Sequence, residues 1–142
     1  MTNNLFLLLK HIHTIVLCLL FLHGCGQDNP SEDIHTLLIN TSDRMNVNLP
    51  DMVNQDMLLL DTAYKDMEFS YFVSVLNYSI DDVDIDAFHE FMRPNLINDI
   101  CTSERHQKFI SKGVSIRYVY SDEKQQEFTT MIIHPADCKL AN

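Results

Sequence analysis

The chain has 142 residues, 20 acidic side chains against 10 basic, a formal net charge of −10 and a hydrophobic content of 46%. This balance suits one globular domain. It excludes a nucleic-acid binder and a protein that lies flat on anionic lipid, since both need a basic surface. Glycine occurs only at Gly24, Gly26 and Gly113, so a phosphate-cradling loop has nothing to form from.

Residues 1–24 have the layout of a targeting segment rather than of a folded element. Met1 to Leu9 carries no acid, Lys10 supplies a positive charge, and the apolar run Ile12 to Leu22 ends in Leu22-His23-Gly24-Cys25. Those four residues resemble the lipobox of bacterial lipoproteins. The resemblance implies cleavage before Cys25, a diacylglycerol thioether on its sulfur and acylation of the new amino terminus, with several chains at one point making a firm anchor. Gly26 and Gln27, where that class places Asp for inner-membrane retention, imply the outer membrane with the domain facing the periplasm. Two competing readings stay open. One is an uncleaved anchor, which Lys10, His11 and His13 would interrupt; the other is an ordinary secretory signal, which would leave a periplasmic or released protein.

Cleavage removes Cys18 and lipidation occupies Cys25. Cys101 and Cys138 are then expected to pair in an oxidising compartment, the alternative being two buried thiols. Residues 25–31, polar and containing Pro30, read as a lipidated tether, and residues 32–142 as a single periplasmic domain.

Within that domain, Asn29 or Ser31 can cap a helix in which Ile34, Leu37, Leu38, Thr41 and Met45 recur at helical spacing up to Val47, before Leu49-Pro50. A first strand is expected over Met57 to Ala63. Met67, Phe69, Tyr71, Val73 and Val75 then alternate with Glu68, Ser70, Phe72, Ser74 and Leu76, the clearest strand in the chain, with the first set facing the core. After a loop, Ile85, Phe88, Phe91, Met92, Leu96, Ile97 and Ile100 form the stripe of a second helix, which Pro94 should kink or break near Arg93. A short helix from Glu104 to Lys112 should follow a Ser103 cap and stop at Gly113. Strands over Val114 to Ser121 and Phe128 to Ile133 complete the order, joined by a polar turn. Two hairpins linked through helices suggest an α+β two-layer sandwich in which a four-stranded antiparallel sheet packs against the helices. Phe72, Leu76 and Val119 fall on the outer set. They form either an apolar patch or a second face buried under the first helix.

Chemistry-bearing motifs are absent. Asp82, Asp84 and Asp86 alternate as in a calcium loop, but the sixth and twelfth positions counted from Asp82 are Ala87 and Arg93 rather than Gly and Glu. His35, His89, His106 and His134 are widely spaced and read as structural or solvent-exposed, and no G-x-S-x-G elbow occurs. The chain is therefore read as a protein-binding module without metal, cofactor or small-molecule substrate, not as an enzyme.

From Cys101, through Ile110-Ser111-Lys112-Gly113-Val114, two strands and a turn, to Cys138, the chain resembles the small pilotin lipoproteins of type II secretion of the AspS kind. Leu49 to Asp56 and Arg93-Pro94 are similar to small secreted proteins of Gram-negative bacteria, including a quorum-sensing-regulated virulence factor family. The first resemblance implies a sheet packed on helices with one disulfide, and a helical segment of a secretin held in a groove between sheet and helix. Neither resemblance implies catalytic residues.

Overall fold

A computed structural model describes residues 33–82 and 84–140; the expected cleavage site, Cys25 and the tether lie outside them. The elements are α1 (Ile34–Asn46), β1 (Asp51–Met52), β2 (Met57–Lys65), β3 (Glu68–Val75), a 3-10 turn (Ile80–Asp82), α2 (Ile85–Thr102), α3 (Glu104–Ile110), β4 (Ser115–Ser121), β5 (Glu127–Ile133) and α4 (Asp137–Leu140).

The fold is α+β, but the sheet is five-stranded and mixed rather than four-stranded and antiparallel. Its order is β1-β2-β3-β4-β5; β2/β3 and β4/β5 are antiparallel hairpins, and β3 runs parallel to β4 from Glu68↔Ser115 to Ser74↔Ser121. The crossover explains the difference. An 18-residue helix such as α2 extends about 27 Å, and a strand the length of β3 spans about 25 Å. The chain therefore returns to the starting end of β3 before entering β4, and a return of that kind gives a parallel pair. The extra strand, β1, is a two-residue edge pairing with Leu58 and Leu59, too short to show periodicity.

Phe69, Tyr71, Val73 and Val75 face the core as expected, meeting Val114, Ile116 and Tyr120 from β4 and its approach, Met131 and Ile133 from β5, and Leu38, Ile100 and Phe109 from the helices. Val73 lies between Leu59 on β2 and Tyr120 on β4, and Tyr71 between Thr62 and Tyr118. A register shift between Leu59 and Asp61 brings Thr62 round to this face. There α1 holds it. Asn46 donates to the Thr62 carbonyl and accepts from its N–H, both at 2.9 Å, and the Ser42 hydroxyl donates to the same carbonyl at 2.9 Å. Backbone groups displaced by the bulge thus find partners in the helix.

These contacts also decide the open question of the outer set. Thr62 pairs with Tyr71, whose hydroxyl meets His106 of α3, so α1 lies on the same face as α3. Phe72 and Val119 are register partners on the opposite face, and α1 does not cover them. Val119 is buried, with Phe72 and Thr130 as its register partners, and Arg117 and Glu68 form an ion pair (3.1 Å).

Three local expectations need correction. Helix α2 runs through Pro94 without a break; Pro94 and Glu90 are both exposed, so the carbonyl that loses its donor lies on the solvent side. Phe91 and Ile85, counted in the inward stripe, are exposed. Asp33 stands at the N-cap of α1 without a side-chain bond, Ser103 does the same for α3, and the other proposed caps, Asn29 and Ser31, lie outside the described residues. Gly113 does end α3, with φ +86°, a left-handed conformation that glycine adopts freely.

The Cys101–Cys138 disulfide joins the end of α2 to α4, with Cα atoms 5.3 Å apart. Arg93 reinforces the same corner, donating to the Ile132 carbonyl at 3.2 Å and approaching Asp137 at 3.5 Å. Asp122, read only as part of a polar turn, is buried and organises the other end. Its carboxylate accepts from the N–H of Lys124 and Gln126 at 2.9 Å and of Ile80 at 3.4 Å, and its carbonyl accepts from the Ser74 hydroxyl at 3.0 Å.

Candidate functional site

The helices leave the sheet partly uncovered, and three depressions open on that face: one of about 870 Å³ between α1 and α3, one of about 340 Å³ between α1 and α2, and one of about 350 Å³ beside the first turns of α2. The first and second share Met45, Val53, Leu59 and Arg105; the second and third share Met57 and Met92. They form one trough.

Its floor is built by the alternation of the strands, which puts Leu59, Tyr71, Val73, Tyr118 and Tyr120 on one face. The rims come from less regular stretches. Met52 (50% exposed) and Val53 (59%) project from β1 and the bend after it, and Tyr78 (49%) and Phe91 (70%) stand at the other end. Exposed apolar side chains gathered along one groove are a mark of a binding surface; scattered singly they would need no explanation. Four of the seven methionines in the chain, Met45, Met52, Met57 and Met92, line it. Such unbranched side chains adapt to an apolar partner.

In the middle, the Tyr71 hydroxyl lies 3.1 Å from His106 Nε2, Tyr71 stacks on Tyr118 with centroids 4.9 Å apart, and His106 Nδ1 has no hydrogen-bond partner among the described residues. Asp99 approaches that nitrogen at 3.8 Å. Burial pushes the Tyr71 hydroxyl up to about 12 against the opposing pull of Arg105, and burial likewise raises Tyr118 and Tyr120. Burial also holds His106 below its ordinary 6.5, with Asp99 opposing and Arg105 adding to the shift. At neutral pH the floor is therefore an uncharged aromatic surface with hydroxyl and imidazole groups. Among the described residues no serine, threonine or cysteine lines the central depression, and the hydroxyl beside the imidazole is that of Tyr71, which burial keeps protonated.

Of the residues singled out in the sequence, His106 lines the centre of the trough and Asp82 and Asp84 its third depression, and the others fall elsewhere. Cys25 lies outside the described residues. The disulfide sits in a neighbouring depression, lined also by Gln107 and Ile110, which meets the first at Glu104 and Lys108. Asp84 caps α2, accepting from the Ala87 N–H at 3.0 Å, and among the described residues no group of three or more His, Cys, Asp or Glu gathers as a metal site. His35 bonds Tyr64 at 2.8 Å, His89 bonds Thr129, and His134 bonds Ser115 at 3.0 Å. The trough residues missed in the sequence carried a signal only in part. The run Met52-Val53 is apolar next to a proline in a segment with no period, and its edge position was not legible.

No protein-family model matches this chain, and no curated protein matches it in sequence. Solved structures do match. The pilotin EpsS of the Vibrio vulnificus type 2 secretion system superimposes with a TM-score of 0.60 at 8% identity, covering 74% of this chain and 91% of its own. The type II secretion pilotin AspS of Vibrio cholerae gives 0.56 at 11%, over 74% and 92%. The chain shares its fold with these two proteins. A Pseudomonas aeruginosa protein described as secreted shares it, with a TM-score of 0.64 at 16% identity over 74% and 92%. The resemblance to AspS-like pilotins read from the Cys101–Cys138 region thus holds in three dimensions, and at these identities it carries the fold rather than an activity.

Proposed function

We propose that the chain is a non-enzymatic accessory protein of the cell envelope, pilotin-like, which holds an apolar helical segment of a partner protein in the trough. The observation that carries this reading is the gathering of exposed Met52, Val53, Tyr78 and Phe91 along one groove, on a fold shared with two secretion pilotins. In its finer form the partner is a segment of a secretin, cleavage occurs before Cys25, lipid on that cysteine anchors the protein in the outer membrane facing the periplasm, and residues 25–31 tether the domain at 32–142. Among the described residues no helix is long and apolar enough to cross a membrane.

Two measurements test it. Immobilised protein should capture a secretin from an envelope extract, and a Val53→Asp, Phe91→Asp variant should not; equal capture by the variant would remove the trough from the account. Palmitate should label the wild type and not Cys25→Ser. The Pseudomonas neighbour described as secreted favours a second reading, a periplasmic or released accessory protein, under which Cys25→Ser leaves fractionation unchanged.

A further inference from the structure

The two ends of the trough differ in charge. Where α1 meets α3 the lining includes Arg44, Arg105 and Lys108 beside Asp51 and Glu104. At the far end it includes Asp56, Asp82 and Asp84, with no lysine or arginine. None of these eight side chains enters an ion pair among the described residues. The acidic end is more than a cluster of carboxylates, because the apolar side chains of Met57, Phe91 and Tyr78 line it as well. Midway, the unpartnered Nδ1 of His106, a residue 93% buried by its 7% exposure, lies in the wall of the central depression.

We infer that the trough sets the direction of its occupant: an amphipathic helix lies with a basic N-terminal end over Asp56, Asp82 and Asp84 and an acidic C-terminal end over Arg44, Arg105 and Lys108. The inference rests on the proposed reading that the trough receives a helix. Two effects act in the same sense. A helix carries partial positive charge at its N-terminus and partial negative charge at its C-terminus, which alone favours this direction. Basic residues in its first turns and acidic ones in its last add complementary contacts, and the reverse orientation opposes like charges at both ends. Apolar burial supplies affinity without direction; charge supplies direction.

The test uses two synthetic 18-residue peptides with the same apolar stripe, one basic at its N-terminus and acidic at its C-terminus, the other with those charges exchanged, both stapled to equal helicity because the first arrangement opposes the peptide's own dipole. Each is titrated into the exported Cys25→Ser protein by fluorescence anisotropy. The first should bind about tenfold more tightly at low salt, and the difference should collapse as the Debye length shrinks to about 3 Å near 1 M salt. Asp56→Asn, Asp82→Asn, Asp84→Asn should shrink the difference between the two peptides to the part contributed by Arg44, Arg105 and Lys108; asparagine at residue 84 still caps α2. A nitroxide on the N-terminus of the first peptide should broaden the amide signals of Asp84 to Ala87 and spare those of Arg105 to Lys108. Equal affinities in the wild type, or the opposite broadening, would overturn the direction and leave the trough reading standing. Failure of both peptides to bind, or binding only of an alkyl-chain probe, would overturn both.

Discussion

Replacing Cys101 and Cys138 together by serine removes a covalent link across 37 residues of sequence. On the chain-entropy account a closed loop of that length destabilises the unfolded ensemble by about 4 kcal/mol. The Cα separation of 5.3 Å falls within the usual range for a bridge, so the double variant should lose close to the full amount. Against a net stability of about 5 to 15 kcal/mol, such a loss lowers the melting temperature by roughly 15 °C for a domain of this size. The native corner has other supports. His134 donates its N–H to Asp137 at 2.8 Å, and Arg93 reaches Asp137 and the Ile132 carbonyl, so α4 should stay docked below the new midpoint. Urea unfolding of the wild type and the double variant, analysed by linear extrapolation, measures the difference. Neither cysteine lines the trough, so peptide affinity at a temperature where both proteins are folded should be unchanged. A stability loss below about 1 kcal/mol would refute the entropic argument. Weaker binding by the folded variant would refute the separation of bridge from site.

Phe91→Ser should weaken partner binding at least several-fold while changing stability by no more than about 0.5 kcal/mol, since the side chain is exposed; equilibrium unfolding beside a binding titration checks both halves. His106 is held below its ordinary 6.5 by burial, so below that pH the unfolded chain takes up the proton first; stability should fall as pH drops from 6.5 toward the depressed folded value, and His106→Gln should flatten this part of the profile. The Asp122 carboxyl lies below the usual carboxylate range, chiefly through the backbone N–H of Gln126. Its contribution is therefore present above the unfolded value and lost as pH falls through the folded one. Asp122→Ala should lower the melting temperature more than Asp122→Asn, which keeps an acceptor for Lys124 and Gln126.

Local pattern identified most elements because burial imposes it directly. Phe69, Tyr71, Val73 and Val75 alternate since one face of β3 is covered, and Ile116 and Tyr120 repeat this on β4. What alternation leaves unstated is which strand lies alongside: β3 and β4 look the same in sequence whether parallel or antiparallel, and the length of α2 decides. Phe91 shows the complementary limit. It lies one residue from Met92 and three from Phe88, inside an apolar stripe by spacing, yet it faces solvent, and an apolar residue kept for a partner carries the same local pattern as one kept for the core. Asp122 was hidden because its partners, Ile80 and Ser74, are brought to it by the fold.

The parallel junction also accounts for the trough. Helix α1 packs on β2 and α2 on β5, three strand spacings apart, so their axes are held about 14 Å from each other. Helices in contact pack at about 8 to 10 Å, which leaves a strip of sheet uncovered over β3 and β4, and α3 closes only one end of it through Phe109, with His106 reaching its centre. A third helix placed about 9 Å from both neighbours would ride roughly 6 Å above their common plane. At that height it meets the rims more than the floor. The side chains left exposed, Val53 on one rim and Phe91 on the other, are the ones such a helix would cover, whereas Tyr71 and Tyr120 are already buried without it. Substitutions at the rim should therefore cost more affinity than stability, and substitutions in the floor more stability than affinity. Tyr120→Ala against Phe91→Ala, measured for both quantities, separates the two, and a floor variant that loses binding while retaining wild-type stability would contradict the geometry.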